Sequence, residues 1–296
     1  MPPLRAVVCT NRPPAAVAAC LDALAEQNAP VVLVVSGGGE GAAAAHARAA
    51  AEVGAEATVL REPRLGLSHA RNRALAAAQD GDVLAFVDDD AMVGEGWLAA
   101  MRRAWARAPA ATACIGGPIR PRFVERRPTW LSDPLLPVVT ALDLGPEPLA
   151  LDPEVTTVFG ANVAFRAGPL RDVGGFDPAL GHHGGRTWFG EEDAAERALH
   201  RAGFAVRYDP GPWVWHVIDP ARVRPAAFLA RRARYGAGLG ARGARGPEAA
   251  ARQAATSAAG APLALLRGDE RLAMERATRA AENAGALIGR LTARSA

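Results

Sequence analysis

Val83-Leu84-Ala85-Phe86-Val87-Asp88-Asp89-Asp90 is the stretch whose reading decides the fold. An apolar run, with Gly81 behind it and acids ahead, reads as a strand buried on both faces, the pattern of a parallel sheet. Acids at the end of such a strand emerge at the carboxyl edge of the sheet, where open α/β sheets take their ligands. Three adjacent carboxylates repel unless a cation or water neutralises them, and oxygen-rich sites suit hard cations such as Mg²⁺ or Mn²⁺. An isolated acidic triplet is otherwise a solvated turn, so the surrounding chain has to decide between the two.

Upstream, the rhythm is strand and helix in alternation. Leu4 to Cys9 reads as a first buried strand, followed by the loop Thr10-Asn11-Arg12-Pro13-Pro14. Val17, Cys20, Leu21 and Leu24 then recur at helical spacing from Pro14 to Glu26. Val31 to Val35 is a second strand closed by Ser36-Gly37-Gly38-Gly39, and a third strand, Ala57 to Leu60, follows an alanine-rich helix. Ser68 is placed to cap a helix that carries His69, Arg71, Asn72 and Arg73 in its first turns. Backbone N–H groups and arginines at a helix start suit an anion.

Downstream, Trp97, Leu98, Met101 and Trp105 share one face of a helix from Glu95 to Ala108, and that face reads as core. Ala113 to Ile119 reads as one further strand. The alternation predicts a mixed, mainly parallel sheet flanked by helices. It breaks at Arg120 to Glu154, a proline-rich run of weak periodicity that predicts a functional loop or lid. Val155 to Phe159 returns to strand character. A glycine-rich loop, Gly181 to Gly190, contains His182, His183 and Trp188, and Glu191-Glu192-Asp193 opens a helix ending at Gly203. Acids at a helix start are favoured by the dipole whatever else they do. Trp213-Val214-Trp215-His216 is a late short strand. From Pro225 the chain reads as basic helix, with a Gly/Arg-rich break from Gly236 to Gly246 and alanine-rich helices beyond. His46, His69 and His200 read as exposed helix positions, whereas Trp130, Trp188 and Trp213 divide between core and ring stacking.

Composition bounds the function. Half of the 296 residues are hydrophobic, enough for a sizeable core, and 22% are charged. A net charge of +3 does not argue for nucleic acid. Three scattered cysteines support neither a disulfide framework nor a zinc knuckle. No secretory leader and no run of about 18 apolar residues is visible, so the expected location is cytoplasmic. The basic stretch Arg231 to Arg245 leaves peripheral membrane contact open beside a plain solvated face.

Two acid clusters, an arginine-bearing helix start and a late histidine form a set that chemistry can use. A cation held by Asp90 can bridge a diphosphate, arginines can neutralise the same anion, and a carboxylate of the second cluster can deprotonate an attacking hydroxyl. In their order the motifs resemble family 2 glycosyltransferases of the GT-A fold. The resemblance runs through Val7-Val8-Cys9-Thr10-Asn11-Arg12, Gly66-Leu67-Ser68-His69-Ala70-Arg71-Asn72-Arg73-Ala74-Leu75 and Phe86-Val87-Asp88-Asp89-Asp90. It continues through Gly160-Ala161-Asn162-Val163-Ala164-Phe165-Arg166, Gly174-Gly175-Phe176-Asp177, Gly190-Glu191-Glu192-Asp193 and His216, and covers roughly Leu4 to Gly240.

The resemblance implies a donor half over residues 1–119, an acceptor and catalytic half over 120–224, and a helical extension over 225–296. It implies a nucleotide-diphosphate sugar as donor, Mn²⁺ or Mg²⁺ as cofactor, an acceptor hydroxyl and inversion at the anomeric carbon. Thr10, Asn11 and Arg12 would lie near the nucleotide, and Arg71 and Asn72 would shape its diphosphate pocket. Asp88 would contact the ribose side, and Asp88, Asp90 and His216 would serve the metal. Gly160 and Asn162 would flank the transferred sugar. Asp193 is the preferred base, then Glu192, then Glu191. Ser36 stands where many members carry an aspartate for uracil, which leaves the base of the nucleotide open. Asp89 is expected to point away from Asp88 and Asp90. A nucleotidyltransferase or a dinucleotide oxidoreductase would need a glycine-rich loop after the first strand, which Thr10-Asn11-Arg12-Pro13 does not provide. A non-catalytic scaffold of the same fold would need neither acid cluster.

Overall fold

The computed structural model describes residues 2–183, 186–188, 190–241 and 247–293. The chain divides into two compact units. One comprises Met1–Arg120, Leu142–Gly185 and Glu191–His216, and the other comprises Pro121–Ala141, Arg186–Gly190 and Val217–Ala296.

The first unit is built on β1 (Leu4–Thr10), α1 (Pro14–Ala25), β2 (Val31–Ser36), α2 (Glu40–Glu52), β3 (Ala57–Glu62), α3 (Leu67–Ala76) and β4 (Val83–Asp88). β5 (Ala91–Val93), α4 (Trp97–Arg107), β6 (Thr112–Gly116) and β7 (Ile119–Phe123) follow. Then come β8 (Leu149–Leu151), β9 (Asn162–Arg166), α5 (Ala167–Asp172), β10 (Gly181–His183), β11 (Arg186–Trp188), α6 (Glu191–Arg201), β12 (Ala205–Tyr208) and β13 (Val214–Ile218). β11 and the ends of β7 and β13 belong to the second unit.

Eight strands form the main sheet in the order β3-β2-β1-β4-β9-β6-β12-β8. The pairs β1–β2, β1–β4, β2–β3 and β6–β12 are parallel, as the continuous apolar runs predict. β9 is reversed between β4 and β6, with Val87 opposite Asn162. It therefore starts at the edge where β4 ends.

The core lies where the sequence places it. Val83 to Val87 and Val31 to Val35 are buried throughout, and Trp97, Leu98, Met101 and Trp105 face inward from α4. The Ala113 to Ile119 run is interrupted at Gly117 and Pro118. A Cβ at Gly117 would meet the Asn162 amide, so the chain turns there and divides into β6 and β7. Val155 to Phe159 is not a strand. The Val158 N–H goes instead to Glu196 and the Thr157 hydroxyl to Asp193. Ser68 does not cap α3, because Gly66 holds that position at φ 145°. Ser68 lies inside the helix, buried, and its hydroxyl donates to Leu180 O at 2.9 Å. The proline-rich run supplies β7, the edge strand β8 and a 3₁₀ turn over Asp133–Val139.

The second unit gathers Leu131, Leu135, Val138, Val139, Ile218 and Phe228 into a core of its own, with Trp130 edge-on to Phe228 at 5.1 Å. Its helices are α7 (Pro225–Ala241), α8 (Pro247–Leu266) and α9 (Glu270–Ala293). None of the described helices is long and apolar enough to cross a membrane.

The expected break at Gly236 is helix up to Ala241; positions 242–246 lie outside the described residues. The glycines serve contact. A Cβ at Gly236 or Gly240 would collide with the α9 carbonyls of Glu282 or Ala286, and a Cβ at Gly285 or Gly289 with the α7 carbonyls of Ala233 or Ala237. Replacing an exposed helical glycine by alanine gains about 1 kcal/mol. Here Gly240→Ala is expected to lose about 1–3 kcal/mol by overpacking, read as a lower urea midpoint.

Candidate active site

Strand ends converge on one edge of the main sheet. Register sets Cys9 beside Asp88 and Val35 beside Thr10, so Thr10, Ser36 and Asp88 finish their strands together. The Thr10 hydroxyl donates to Asp89 Oδ2 at 2.6 Å, and Arg12 N donates to the Thr10 oxygen at 3.0 Å. The Arg12 guanidinium lies 3.4 Å from Asp89 and 3.9 Å from Asp90. Ser36 donates to Thr10 O, while Asn11 is exposed. Asp89 is thus held by the loop after β1 and shares the Arg12 guanidinium with Asp90.

His46 is 3% exposed, contrary to its reading as a surface residue. Its ring nitrogens lie 2.8 Å from Ala42 O and 3.0 Å from Arg12 O, tying α2 to the same loop.

Asp88, Asp90 and His216 form the second group. One ligand atom from each lies within 4.8 Å of the others. β13 runs antiparallel to β5, with His216 opposite Ala91, and this brings His216 Nε2 to 3.1 Å from Asp90 Oδ1. Burial, and then the charge of Asp90, push the Asp88 carboxyl up to about 6. Two carboxylates and an imidazole nitrogen make a donor set that Mn²⁺ or Mg²⁺ fits, and a cation here would relieve the repulsion between the acids.

Arg71 anchors the third group. It is 2% exposed, on α3. Its guanidinium lies 3.0 Å from Glu191, 3.5 Å from Glu192 and 3.8 Å from Asp88, between the rings of Phe86 and Phe176. A side chain at Gly160 would run into Arg71. Burial, and then the Glu192 charge, push the Glu191 carboxyl up, while Arg71 pulls it back toward the charged form. Glu192 keeps 18% of its side chain open and accepts from Gly160 N at 3.2 Å. Asp193 is 4% exposed and accepts from the Thr157 hydroxyl at 2.8 Å.

Two expected pocket residues are turned elsewhere. Asn72 holds the Phe176 backbone through both ends of its amide, at 2.6 and 2.9 Å. Asn162 is fully buried. It accepts from Trp97 Nε1 at 3.0 Å and donates to Pro118 O and Pro212 O at 3.1 and 2.7 Å. Sequence reading missed Glu196, which is fully buried and raised well above the carboxylate range by burial, and whose Oε2 accepts from Val158 N. The available signal was an acid on the stripe that α6 buries with Ala195 and Leu199. The side chains of His182, His183 and Trp188 lie outside the described residues, as do Gly184, Gly185 and Phe189.

Residues 6–174 match the family model for glycosyl transferase family 2. The chain belongs to that family. It is 30% identical over 155 residues to the glucosyl-dolichyl phosphate glucuronosyltransferase of Haloferax volcanii, covering 52% of this chain and 48% of the relative. It is 29% identical over 175 residues to the succinoglycan biosynthesis protein ExoM of Rhizobium meliloti, covering 59% and 52%. The chain therefore spans about half the length of these curated relatives. Among solved structures, GalNAc-T7 with UDP, GalNAc and Mn²⁺ superposes with a TM-score of 0.56 at 16% identity, over 82% of this chain and 50% of that one. That likeness shows the fold, GT-A.

Breaking a buried ion pair leaves a desolvated charge behind, at about 3–5 kcal/mol. Arg71→Met is expected to lose stability in that range by urea unfolding. Arg71→Lys should recover only part of it, because a point charge cannot span several carboxylates as the fork does.

Proposed function

We propose that this family 2 chain transfers a sugar from a nucleotide-diphosphate donor to an acceptor hydroxyl, with inversion and with Mn²⁺ or Mg²⁺ bound. The observation that carries the reading is the division of labour among the three acids at the start of α6. Glu191 takes the short contact with Arg71 and Asp193 accepts from Thr157, whereas Glu192, 3.5 Å from the same guanidinium, is the most open of the cluster and stands beside Gly160. The proposed base is therefore Glu192, ahead of Asp193.

Asp88, Asp90 and His216 would hold the cation, which when bound supplies positive charge to the leaving diphosphate. Thr10 and Arg12, braced by Asp89 from the end of β4, belong to the loop that would frame the nucleotide. Glu192 takes the proton from the acceptor hydroxyl. The oxygen bonds to the anomeric carbon as the carbon–phosphate oxygen bond breaks on the opposite side. The departing diphosphate keeps the electron pair, and the configuration inverts. Arg71 holds Glu192 and Asp88 to one centre and so fixes the spacing of the base and one of the carboxylates that would hold the cation. The named activity of the Haloferax relative supports a lipid-linked glycan as acceptor, and that of ExoM a polysaccharide in assembly. Either is compatible with a site built at an open sheet edge.

General-base removal costs about 10²–10⁴-fold in rate. Glu192→Gln is expected to lose transfer on that scale while donor still raises the melting temperature, and Asp193→Asn should lose far less. If the two rank the other way, Asp193 is the base. Asp90→Asn should abolish the Mn²⁺-dependent part of the thermal shift given by donor. Asp89→Asn should weaken donor binding through the Arg12 loop with turnover little changed. Donor binding without any metal-dependent transfer or hydrolysis would leave a nucleotide-sugar scaffold as the better reading.

A further inference from the structure

The segment 157–160, which leads into β9, lies along α6 and is held there by three acids. The Thr157 hydroxyl donates to Asp193 at 2.8 Å, Val158 N to Glu196 at 3.1 Å and Gly160 N to Glu192 at 3.2 Å. Residues three and four apart share one side of a helix, so Glu196 stands one turn beyond Asp193 and Glu192 on the side that meets this segment.

Of the three, Glu196 has no part in the reaction proposed above. It is fully buried, and no partner among the described residues reaches its Oε1. Burial, and then the charge of Asp193, push its carboxyl well above the usual range. A buried acid with a single bond adds little to stability, because desolvation of the carboxyl offsets what the bond returns. What the acid provides is position. It is the acceptor for a backbone N–H that no strand or helix takes up.

Packing fixes the same residue from the other side. The Val158 side chain is fully buried and occupies the place that a Cβ on Gly116 of β6 would need. Two residues on, Gly160 lies against both Arg71 and Glu192, where there is no room for a Cβ. A shift at Val158 is therefore passed to Gly160 N and from there to Glu192.

We propose that Glu196 is a positioning residue for the transfer reaction: by holding Val158 N it sets the 157–160 segment, and through Gly160 it sets the Glu192 carboxylate. The inference rests on Glu192 being the base. Glu196 touches none of the reacting atoms. Thr10 and Arg12, on the loop after β1, make no bond to the segment. The effect of Glu196 thus falls on turnover and not on donor binding.

The test compares variants of the full chain in Mn²⁺-dependent hydrolysis of whichever UDP-, GDP- or dTDP-sugar gives the largest thermal shift. Water stands in for the acceptor hydroxyl, so the same base is read. Glu196→Leu keeps the bulk and removes the acceptor. It is expected to lower kcat by roughly 10–100-fold, with KM and the thermal shift given by the nucleotide sugar unchanged. Glu196→Gln should recover most of that rate, because its amide oxygen accepts from Val158 N as the uncharged acid does. Added to Glu192→Gln, Glu196→Leu should cost little more, since both act through one base. Glu196→Asp keeps a carboxyl but falls short of Val158 N; it replaces the leucine variant if that does not fold, with the same expectations. Parental kcat in Glu196→Leu or Glu196→Asp, a loss that Glu196→Gln does not recover, or full additivity with Glu192→Gln would overturn the inference while leaving the base assignment intact. Parental turnover in Glu192→Gln would remove the base itself, and no hydrolysis by the parent chain would remove the reaction; the inference falls with either.

Discussion

One buried guanidinium organises the first unit. Arg71 carries the counter-charge for Glu191, Glu192 and Asp88, which come from the start of a helix and the end of a strand far apart in the chain. Several acids gathered in a water-poor cleft are unstable without such a partner. Phe86 and Phe176 close around it and withdraw it from solvent. The burial that strengthens its attraction to the acids also raises the penalty for losing it. The glycine at 160 completes the arrangement, since a side chain there would occupy the guanidinium's place.

Much of this was legible because it is local. Val83 to Val87 could only be an interior strand, and acids placed directly after it had to emerge at the sheet edge. The periodicity of α4 announced a buried face. The Gly160 and Glu191 regions were legible through a resemblance, which ties order along the chain to position in space. What escaped was set by partners distant in sequence. Val155 to Phe159 has the β-branched residues of a strand, but its polar groups are claimed by Asp193 and Glu196 on α6. Asn162 looks like a pocket residue until Trp97, Pro118 and Pro212 are seen to engage both ends of its amide. His46 looks like a surface histidine until the Arg12 carbonyl is found beside it. Gly236 and Gly240 read as a break because propensity counts a glycine's entropy and not the neighbour it admits.

The three acids of α6 show how one helix start can serve different ends. A first turn favours carboxylates through its free N–H groups, which explains their presence without explaining their use. Side-chain direction does the sorting. Successive residues on a helix point about 100° apart, so Glu191, Glu192 and Asp193 meet Arg71, Gly160 and Thr157 in turn. The sequence Glu-Glu-Asp is thus three different environments.

Asn162 has a further consequence. It pins the start of β9 to the backbone at Pro118 and Pro212 and to the indole of α4. The chain leaves the main sheet at the end of β6, just before Pro118, and re-enters its interior at Asn162, with only the edge strand β8 between. Both ends of that stretch are fastened to one side chain, so losing this amide would loosen two crossings of the chain at once, beside the strand that ends in Asp88.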